Sequence, residues 1–130
     1  MLLLDTQIVL WLAADTDKIS PKTKRALGEA RTAGEGLAIA GVTLWELAML
    51  AAKGRIILNP PIEIFLEKVE ATYHILPMDR RVAVRAMQFS EAYPNDPADR
   101  QIGATAVVHG LSLVTADAKI RRSAEVPCVW

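Results

Sequence analysis

Four acidic residues occupy positions where their carboxylates could act together on one substrate. They are Asp5, Glu46, Asp99 and Asp117. Asp5 follows the apolar run 2–4 directly, and Asp117 comes two residues after Thr115, at the end of another such run. Glu46 comes soon after a third. In a parallel sheet, ligands bind beyond the carboxyl ends of the strands, so all three belong near one crevice. Asp99 is expected to open the helix that leads into the strand before Asp117, and such a crossover helix begins at that same edge.

The chemistry expected of this group is metal-dependent hydrolysis. Carboxylates held a few ångströms apart repel one another, and a divalent cation relieves that repulsion. Oxygen ligands without clustered His or Cys favour Mg²⁺ or Mn²⁺ over zinc. Such an ion activates water and orients phosphate groups. The four carboxylates therefore predict phosphodiester cleavage.

Three of the four acidic residues also have a structural interpretation. Glu46 stands three residues after Thr43, which is the capping-box pattern at the start of a helix. Asp99 could simply complement a helix dipole, and Asp117 could form a turn. Asp96, between an asparagine and a proline, is typical of a turn residue. The spacing alone leaves both interpretations open.

Short apolar runs alternate with helical patterns along the chain. Strands are expected at residues 2–4, 37–40, 73–76, 111–115 and 126–130, and helices are expected to start near Ser20-Pro21, Thr43, Pro61, Asp79 and Asp99. Strands that are apolar on both faces and alternate with helices predict a parallel sheet covered on both sides. The fold class is therefore α/β.

Two further expectations concern exposure. The segment 93–97 is dense in turn residues and is expected to be exposed. Trp11, Trp45 and Trp130 are expected mainly in the core.

The apolar faces around Trp11, Trp45 and residues 56–58 exceed what a small core can hide, so part of them should form a surface for a second copy or a partner protein.

The composition predicts one domain, residues 1–130. Hydrophobic residues make up 52% and charged residues 23%, and 15 basic residues balance 15 acidic ones. Without a global positive field, any nucleic-acid binding must be local. The single cysteine, Cys128, fits a reducing compartment, so the cytoplasm is expected. The first residues suggest a strand rather than a signal peptide, and no apolar stretch approaches the roughly 18 residues of a membrane span.

Six segments, taken in order, resemble a known family. They are Leu3-Leu4-Asp5-Thr6, Thr43-Leu44-Trp45-Glu46-Leu47-Ala48, Lys53-Gly54-Arg55, Asp96-Pro97-Ala98-Asp99-Arg100, Gly103-Ala104-Thr105-Ala106 and Leu113-Val114-Thr115-Ala116-Asp117. With them the chain resembles the PIN-domain ribonuclease toxins, the VapC-like members of type II toxin–antitoxin modules. The resemblance implies a three-layer α/β/α sandwich with a mainly parallel sheet. It also implies Mg²⁺- or Mn²⁺-dependent RNA cleavage by a homodimer that a cognate antitoxin holds inactive.

The resemblance also assigns roles to individual residues. Asp5 matches the first metal ligand, Glu46 the helix glutamate, Asp99 the aspartate of the D-R pair, and Asp117 the aspartate after T-x. Secondary site positions are Thr6, Asp96 and Thr115. Candidates for RNA contact are Lys53, Arg55, Arg100 and Lys119. The chain departs from the family pattern at Gln7 and Pro94, where histidine is expected, and at Gln101, where an aliphatic residue is expected.

Three other functions compete with the nuclease. Haloacid-dehalogenase-like phosphatases also begin with a strand ending in aspartate, but they need a second aspartate where this chain has Gln7. Nucleotide-binding modules need glycine-rich phosphate loops, which the sequence lacks. An inactive PIN-like domain that binds RNA or another protein is the main alternative. Degenerate members would normally have lost one acid, whereas all four are present here.

Overall fold

A central sheet with helices on both faces organises the chain, and the computed structural model describes every residue, Met1–Trp130. The strands are β1 Leu2–Leu4, β2 Leu37–Ala40, β3 His74–Leu76, β4 Ser112–Val114 and β5 Cys128–Val129. The helices are α1 Thr6–Ala14, α2 Pro21–Thr32, α3 Gly41–Ala52, α4 Ile62–Thr72, α5 Arg80–Ala86, α6 Pro97–His109 and α7 Ala118–Ser123, with a short 3-10 helix at Thr16–Lys18. The predicted alternation of strands and helices is confirmed.

All five strands run parallel, in the order β3-β2-β1-β4-β5. β1 lies at the centre, with Leu4 paired to Ile39 on one side and to Val114 on the other. From β1 the chain builds outward to β2 and β3, and then returns to add β4 and β5 on the opposite side. The carboxyl ends of all five strands therefore lie along one edge.

Alternate strand residues pack into two separate cores, which produces the three layers. Leu3 and Leu113 face a core completed by α5, α6 and α7, whereas Leu4 and Val114 face a core completed by α1 to α4. All four side chains are fully buried. Burying such a side chain stabilises the fold by about 1.5 to 3 kcal/mol. The predicted α/β/α sandwich is confirmed.

The start of α3 differs from the sequence-based expectation. The helix begins at Gly41, immediately after β2, and the residue in the N-cap position, Ala40, provides no side-chain cap. Thr43 is therefore the third residue of the helix rather than its cap. The capping-box interpretation of Glu46 is wrong, since that glutamate lies in the second turn.

The start of α6 also lies earlier than expected. Asp96 is the N-cap residue, and its Oδ1 accepts a hydrogen bond of 3.0 Å from the backbone N–H of Asp99. Pro97 occupies the first helical position, which proline favours because its fixed φ suits the helix. Asp99 is thus the third residue of α6, although it still lies in the first turn.

Two expectations about exposure are wrong. Tyr93 and Pro94 are buried, so only the latter part of segment 93–97 is exposed. Trp45 is 59% exposed rather than in the core, and Ile57 nearby is 95% exposed. Trp11 and Trp130 are half-buried, with ring centroids 5.9 Å apart. No helix combines the length and the apolar character that crossing a bilayer requires.

Candidate active site

The strand order creates a crevice between β1 and β4. The chain leaves β1 towards β2 on one side and later adds β4 on the other, so the connections after these two neighbouring strands diverge. Open parallel sheets bind ligands at such a switch point, beyond the carboxyl ends of the strands. Asp5 follows β1 and Thr115 follows β4, which places both at this point.

A cavity of about 420 Å³ opens at the same place. Its wall consists of Asp5, Thr6, Gln7, Glu46, Leu50, Asp99, Ala116 and Asp117. The structure therefore brings the four acidic residues of the sequence analysis together, along with Thr6. Leu50, Gln7 and Ala116 were not predicted as site residues. Leu50 lies one helical turn beyond Glu46 on α3, so the helical spacing could have indicated it.

The buried hydroxyl of Thr115 links two of the carboxylate positions. Thr115 Oγ1 donates a hydrogen bond of 2.7 Å to Asp5 Oδ2 and accepts one of 3.1 Å from the backbone N–H of Asp117. The other oxygen of Asp5 accepts a bond of 2.8 Å from the backbone N–H of Thr6. Asp117 Oδ1 caps α7 by accepting hydrogen bonds from the backbone of Lys119 and Ile120, at 2.8 and 3.1 Å. Both carboxylates are thus held firmly in place.

Two threonines hold Glu46. Thr6 Oγ1 donates a hydrogen bond of 2.6 Å to Glu46 Oε1 and lies 3.1 Å from Thr43 Oγ1. A hydroxyl has a single proton, so Thr6 accepts from Thr43 while it donates to the carboxylate. Thr43, fully buried, therefore supports the site rather than the start of the helix. Its spacing of three residues from Glu46 could have indicated a shared helix face.

Asp99 differs from the other three acids because no hydrogen bond within the protein holds its carboxylate. Its backbone is fixed instead, since the N–H donates to Asp96 and the C=O accepts a bond of 2.8 Å from the Tyr93 hydroxyl. Burial raises the pKa of Tyr93, so that hydroxyl stays protonated and can donate. Asp96 itself does not line the cavity.

Burial and mutual repulsion raise the pKa values of three of these carboxyl groups. For Asp5 and Glu46, burial is the main cause, and the hydrogen bonds from Thr115 and Thr6 offset it only in part. The pKa of Asp99 is raised to about 7, first by burial and then by the negative charges of its acidic neighbours. Those neighbours are Asp5, Asp96, Glu46 and Asp117. The cavity therefore favours the binding of a positively charged ligand.

The donor set fits a divalent cation that retains water ligands. No three acidic, His or Cys side chains lie close enough to hold one ion together. Mg²⁺ commonly uses only one or two carboxylates directly and keeps several waters. An all-oxygen wall with raised carboxyl pKa values suits such an ion, with some carboxylates reached through water. Zinc, which prefers closely spaced N and S ligands, does not suit this wall.

The four basic candidates for RNA contact fall into two groups. Lys53, Arg55 and Lys119 are exposed. Arg100 is half-buried, and its guanidinium donates to the backbone carbonyls of Ala86, Phe89, Ser90 and Pro94 and to Asn95 Oδ1 at 3.0 to 3.4 Å. Its donors are therefore directed at the protein's own loop.

Comparison with known sequences agrees with this architecture. The family profile described as PIN domain matches residues 2–126 of the chain. Ribonuclease VapC22 of Mycobacterium tuberculosis (strain ATCC 25618 / H37Rv) is 34% identical over 119 residues, which cover 92% of this chain and 88% of that protein.

Solved structures share the fold over nearly the whole chain. One is a toxin-antitoxin complex from Klebsiella pneumoniae, with a TM-score of 0.68 and 25% identity over 100% of this chain and 97% of that one. Another is VapBC2 from Rickettsia felis bound to a DNA fragment from their promoter, with a TM-score of 0.71 and 16% identity over 97% and 95% of the two chains. The profile match and the identity with VapC22 show that this chain belongs to the PIN domain family.

Proposed function

We propose that the protein is a Mg²⁺- or Mn²⁺-dependent endoribonuclease and the toxin of a type II toxin–antitoxin module, acting in the cytoplasm. The observation that carries the proposal is the cavity at the switch point, into which four carboxylates from distant parts of the chain converge. A relative that is 34% identical over most of its length is named a ribonuclease, which supports the same activity.

The proposed mechanism assigns a task to each part of the cavity. Asp5, Glu46, Asp99 and Asp117 would hold the cation, directly or through water. When bound, the cation lowers the pKa of a water molecule and stabilises negative charge on the phosphate oxygens. Asp99 and Glu46 are the candidates for taking up the proton of the attacking water, because burial raises the pKa of each. Each also keeps a carboxylate oxygen without a hydrogen bond inside the protein, whereas both oxygens of Asp5 accept one. Thr6 and Thr115 orient the carboxylates beside them.

RNA binding must overcome the repulsion between the RNA phosphates and the negatively charged wall of the cavity. The chain has no net charge, so RNA is attracted only where basic residues are exposed. Lys53, Arg55 and Lys119 satisfy that condition. They are therefore proposed to contact the phosphate backbone outside the cavity, while the cation neutralises the wall inside.

Exposed apolar surface supports a protein partner. An open groove of about 460 Å³ is lined mostly by apolar residues of α3, the segment after it and the start of α4, including Ile56, Leu58 and Ile62. Ile57, which also lines the groove, and Trp45 are exposed. Such surface on a small protein commonly marks an interface. A similar solved structure is a toxin-antitoxin complex. We therefore assign the exposed apolar surface to a cognate antitoxin and to a second copy of the chain.

The test measures RNA cleavage in Mg²⁺, in Mn²⁺ and in EDTA. Asp5→Asn should abolish cleavage, because asparagine preserves size and removes the charge. Asp79→Asn is the matched control, since Asp79 also caps a helix but does not line the cavity. Cleavage by the wild type in EDTA, or by Asp5→Asn at the wild-type rate, would contradict the proposal. RNA binding without any cleavage would favour an inactive PIN-like binding domain instead.

A further inference from the structure

Tyr93 is a fully buried residue that contacts the backbone of a cavity residue. Its hydroxyl donates a hydrogen bond of 2.8 Å to the carbonyl oxygen of Asp99. Its ring stacks on Phe89, with centroids 4.1 Å apart and planes 10° from parallel. A buried tyrosine needs a partner for its hydroxyl, and here that partner belongs to the first turn of α6. Tyr93 thus couples the loop before α6 to Asp99.

Gly103 makes room for this contact. A Cβ at position 103 would lie 2.8 Å from Tyr93 Cζ and 3.2 Å from Phe89 Cζ, and it would overlap the Tyr93 hydroxyl. The ring is fully buried and stacked on Phe89, so it could not move away without disturbing the packing around it. Gly103 lies one helical turn after Asp99. Only glycine at this position allows the Tyr93 hydroxyl to lie so close to α6.

Arg100 also holds this loop in place. Its planar guanidinium presents five N–H donors in a fixed arrangement, and in this structure they meet four backbone carbonyls and the side-chain oxygen of Asn95. Ser90 adds a third attachment by donating from its backbone N–H and its hydroxyl to Glu125, at 3.0 and 2.9 Å. The loop that carries Tyr93 is therefore fixed along its length.

This arrangement matters because the Asp99 carboxylate has no hydrogen bond of its own. Asp5, Glu46 and Asp117 are each held by hydrogen bonds to their side chains. The position of Asp99 depends on its backbone instead, with Asp96 on its N–H and Tyr93 on its C=O.

We propose that Tyr93, seated on Gly103 and held in place through Arg100, is a positioning residue that sets where the Asp99 carboxylate lies in the cavity. This inference rests on the proposed function, because its consequence is the affinity of the site for a divalent cation. A residue that acts through its neighbour's backbone alters cation affinity and turnover without contacting RNA. It should leave the KM for RNA unchanged.

Tyr93→Phe tests the inference, since it keeps the stacked ring and removes only the hydroxyl. We expect Mn²⁺ binding, measured by calorimetry, to weaken roughly fivefold to tenfold, and kcat for RNA to fall by a similar factor at fixed Mn²⁺. Amide exchange of residues 97–103 without metal should accelerate. A melting temperature close to that of the Gly28→Ala control described below would show that Tyr93→Phe still folds.

Gly103→Ala is the second variant, and Gly28→Ala is its matched control. Gly28 also lies within a helix, but a Cβ there meets nothing within 4 Å. Gly103→Ala should weaken Mn²⁺ binding at least as much as Tyr93→Phe does, and Gly28→Ala should leave it unchanged.

Two results would overturn the inference, and they are distinguishable. If the wild type binds Mn²⁺ and cleaves RNA while Tyr93→Phe has the same affinity and kcat, only the role of Tyr93 is refuted. If the wild type binds no Mn²⁺, the proposed function fails and this inference fails with it.

Discussion

The Thr115 hydroxyl lies 2.7 Å from Asp5 Oδ2, although 110 residues separate the two in sequence. The pairing of β1 with β4 brings them together, because Leu4 is opposite Val114 and the backbone N–H of Asp5 donates to the Val114 carbonyl. The first carboxylate of the site is therefore held by a segment near the other end of the chain.

Thr115→Val is expected to weaken both the site and the fold. Valine preserves the shape but leaves Asp5 Oδ2 and the Asp117 N–H without their partner, which costs about 1 to 3 kcal/mol of unfolding free energy. Calorimetry with Mn²⁺ should show lower affinity as well. Thr105→Val is the matched control, since it removes another buried hydroxyl that bonds only to the backbone of its own helix. Equal Mn²⁺ affinities in the two variants would contradict the role of Thr115.

The pKa of Asp99 predicts a fall in stability as pH rises. The pKa is about 7 in the folded protein against 3.8 as the ordinary value. The folded state therefore binds more protons between these values, and this contribution is complete below about pH 4 and lost by about pH 7. We expect a loss of about 1 to 2 kcal/mol after allowance for solvent screening. Urea unfolding in EDTA from pH 5 to 8 measures it.

Asp99→Asn serves as the comparison for this pH dependence. Asparagine does not titrate, so the decline from pH 5 to 7 should be smaller in the variant, although Asp5 and Glu46 still contribute in the same direction. At pH 8 without metal, the variant should be at least as stable as the wild type, because one of several repelling charges is gone. Identical pH profiles would show that Asp99 is not the titrating group.

Glu46→Gln separates a charge effect from a structural effect. The amide oxygen of glutamine can still accept the hydrogen bond from Thr6, so stability should change by less than about 0.5 kcal/mol. RNA cleavage and Mn²⁺ affinity should both fall sharply because a negative charge is lost. Glu63→Gln, in the first turn of α4 and exposed, should alter neither. Retained cleavage by Glu46→Gln would return Glu46 to a structural role.

Substitution of Arg100 should affect stability, whereas substitution of Lys53 or Arg55 should affect RNA binding. Arg100→Lys keeps the charge, but one ammonium cannot replace the guanidinium contacts, so we expect a loss of about 1 to 3 kcal/mol in urea unfolding. Lys53→Ala and Arg55→Ala should leave stability unchanged and reduce both RNA affinity and its salt dependence. Normal stability with weakened RNA binding in Arg100→Lys would favour Arg100 as an RNA contact.

The sequence placed the residues after β1 and β4 well because both strands are short apolar runs with an abrupt end. It failed at α3, where β2 runs into the helix with no capping side chain and Thr43 uses its hydroxyl on a residue 37 positions away. A local sequence pattern cannot reveal a contact between residues so far apart in the chain. The burial of Tyr93 was missed for the same reason, because it depends on Gly103 and on Asp99 rather than on turn composition.

Three of the acidic residues near the cavity, Asp5, Asp96 and Asp117, also cap the helices that begin beside it. Asparagine caps a helix about as well as aspartate does, and one nucleotide change converts the codon of one into that of the other. Loss of the negative charge at these positions is therefore a single genetic step that leaves the fold intact. Alanine is also one nucleotide change away, but it does not cap a helix. Natural copies that have lost activity should therefore carry asparagine here more often than alanine, and they should persist as folded proteins able to compete for the same partner.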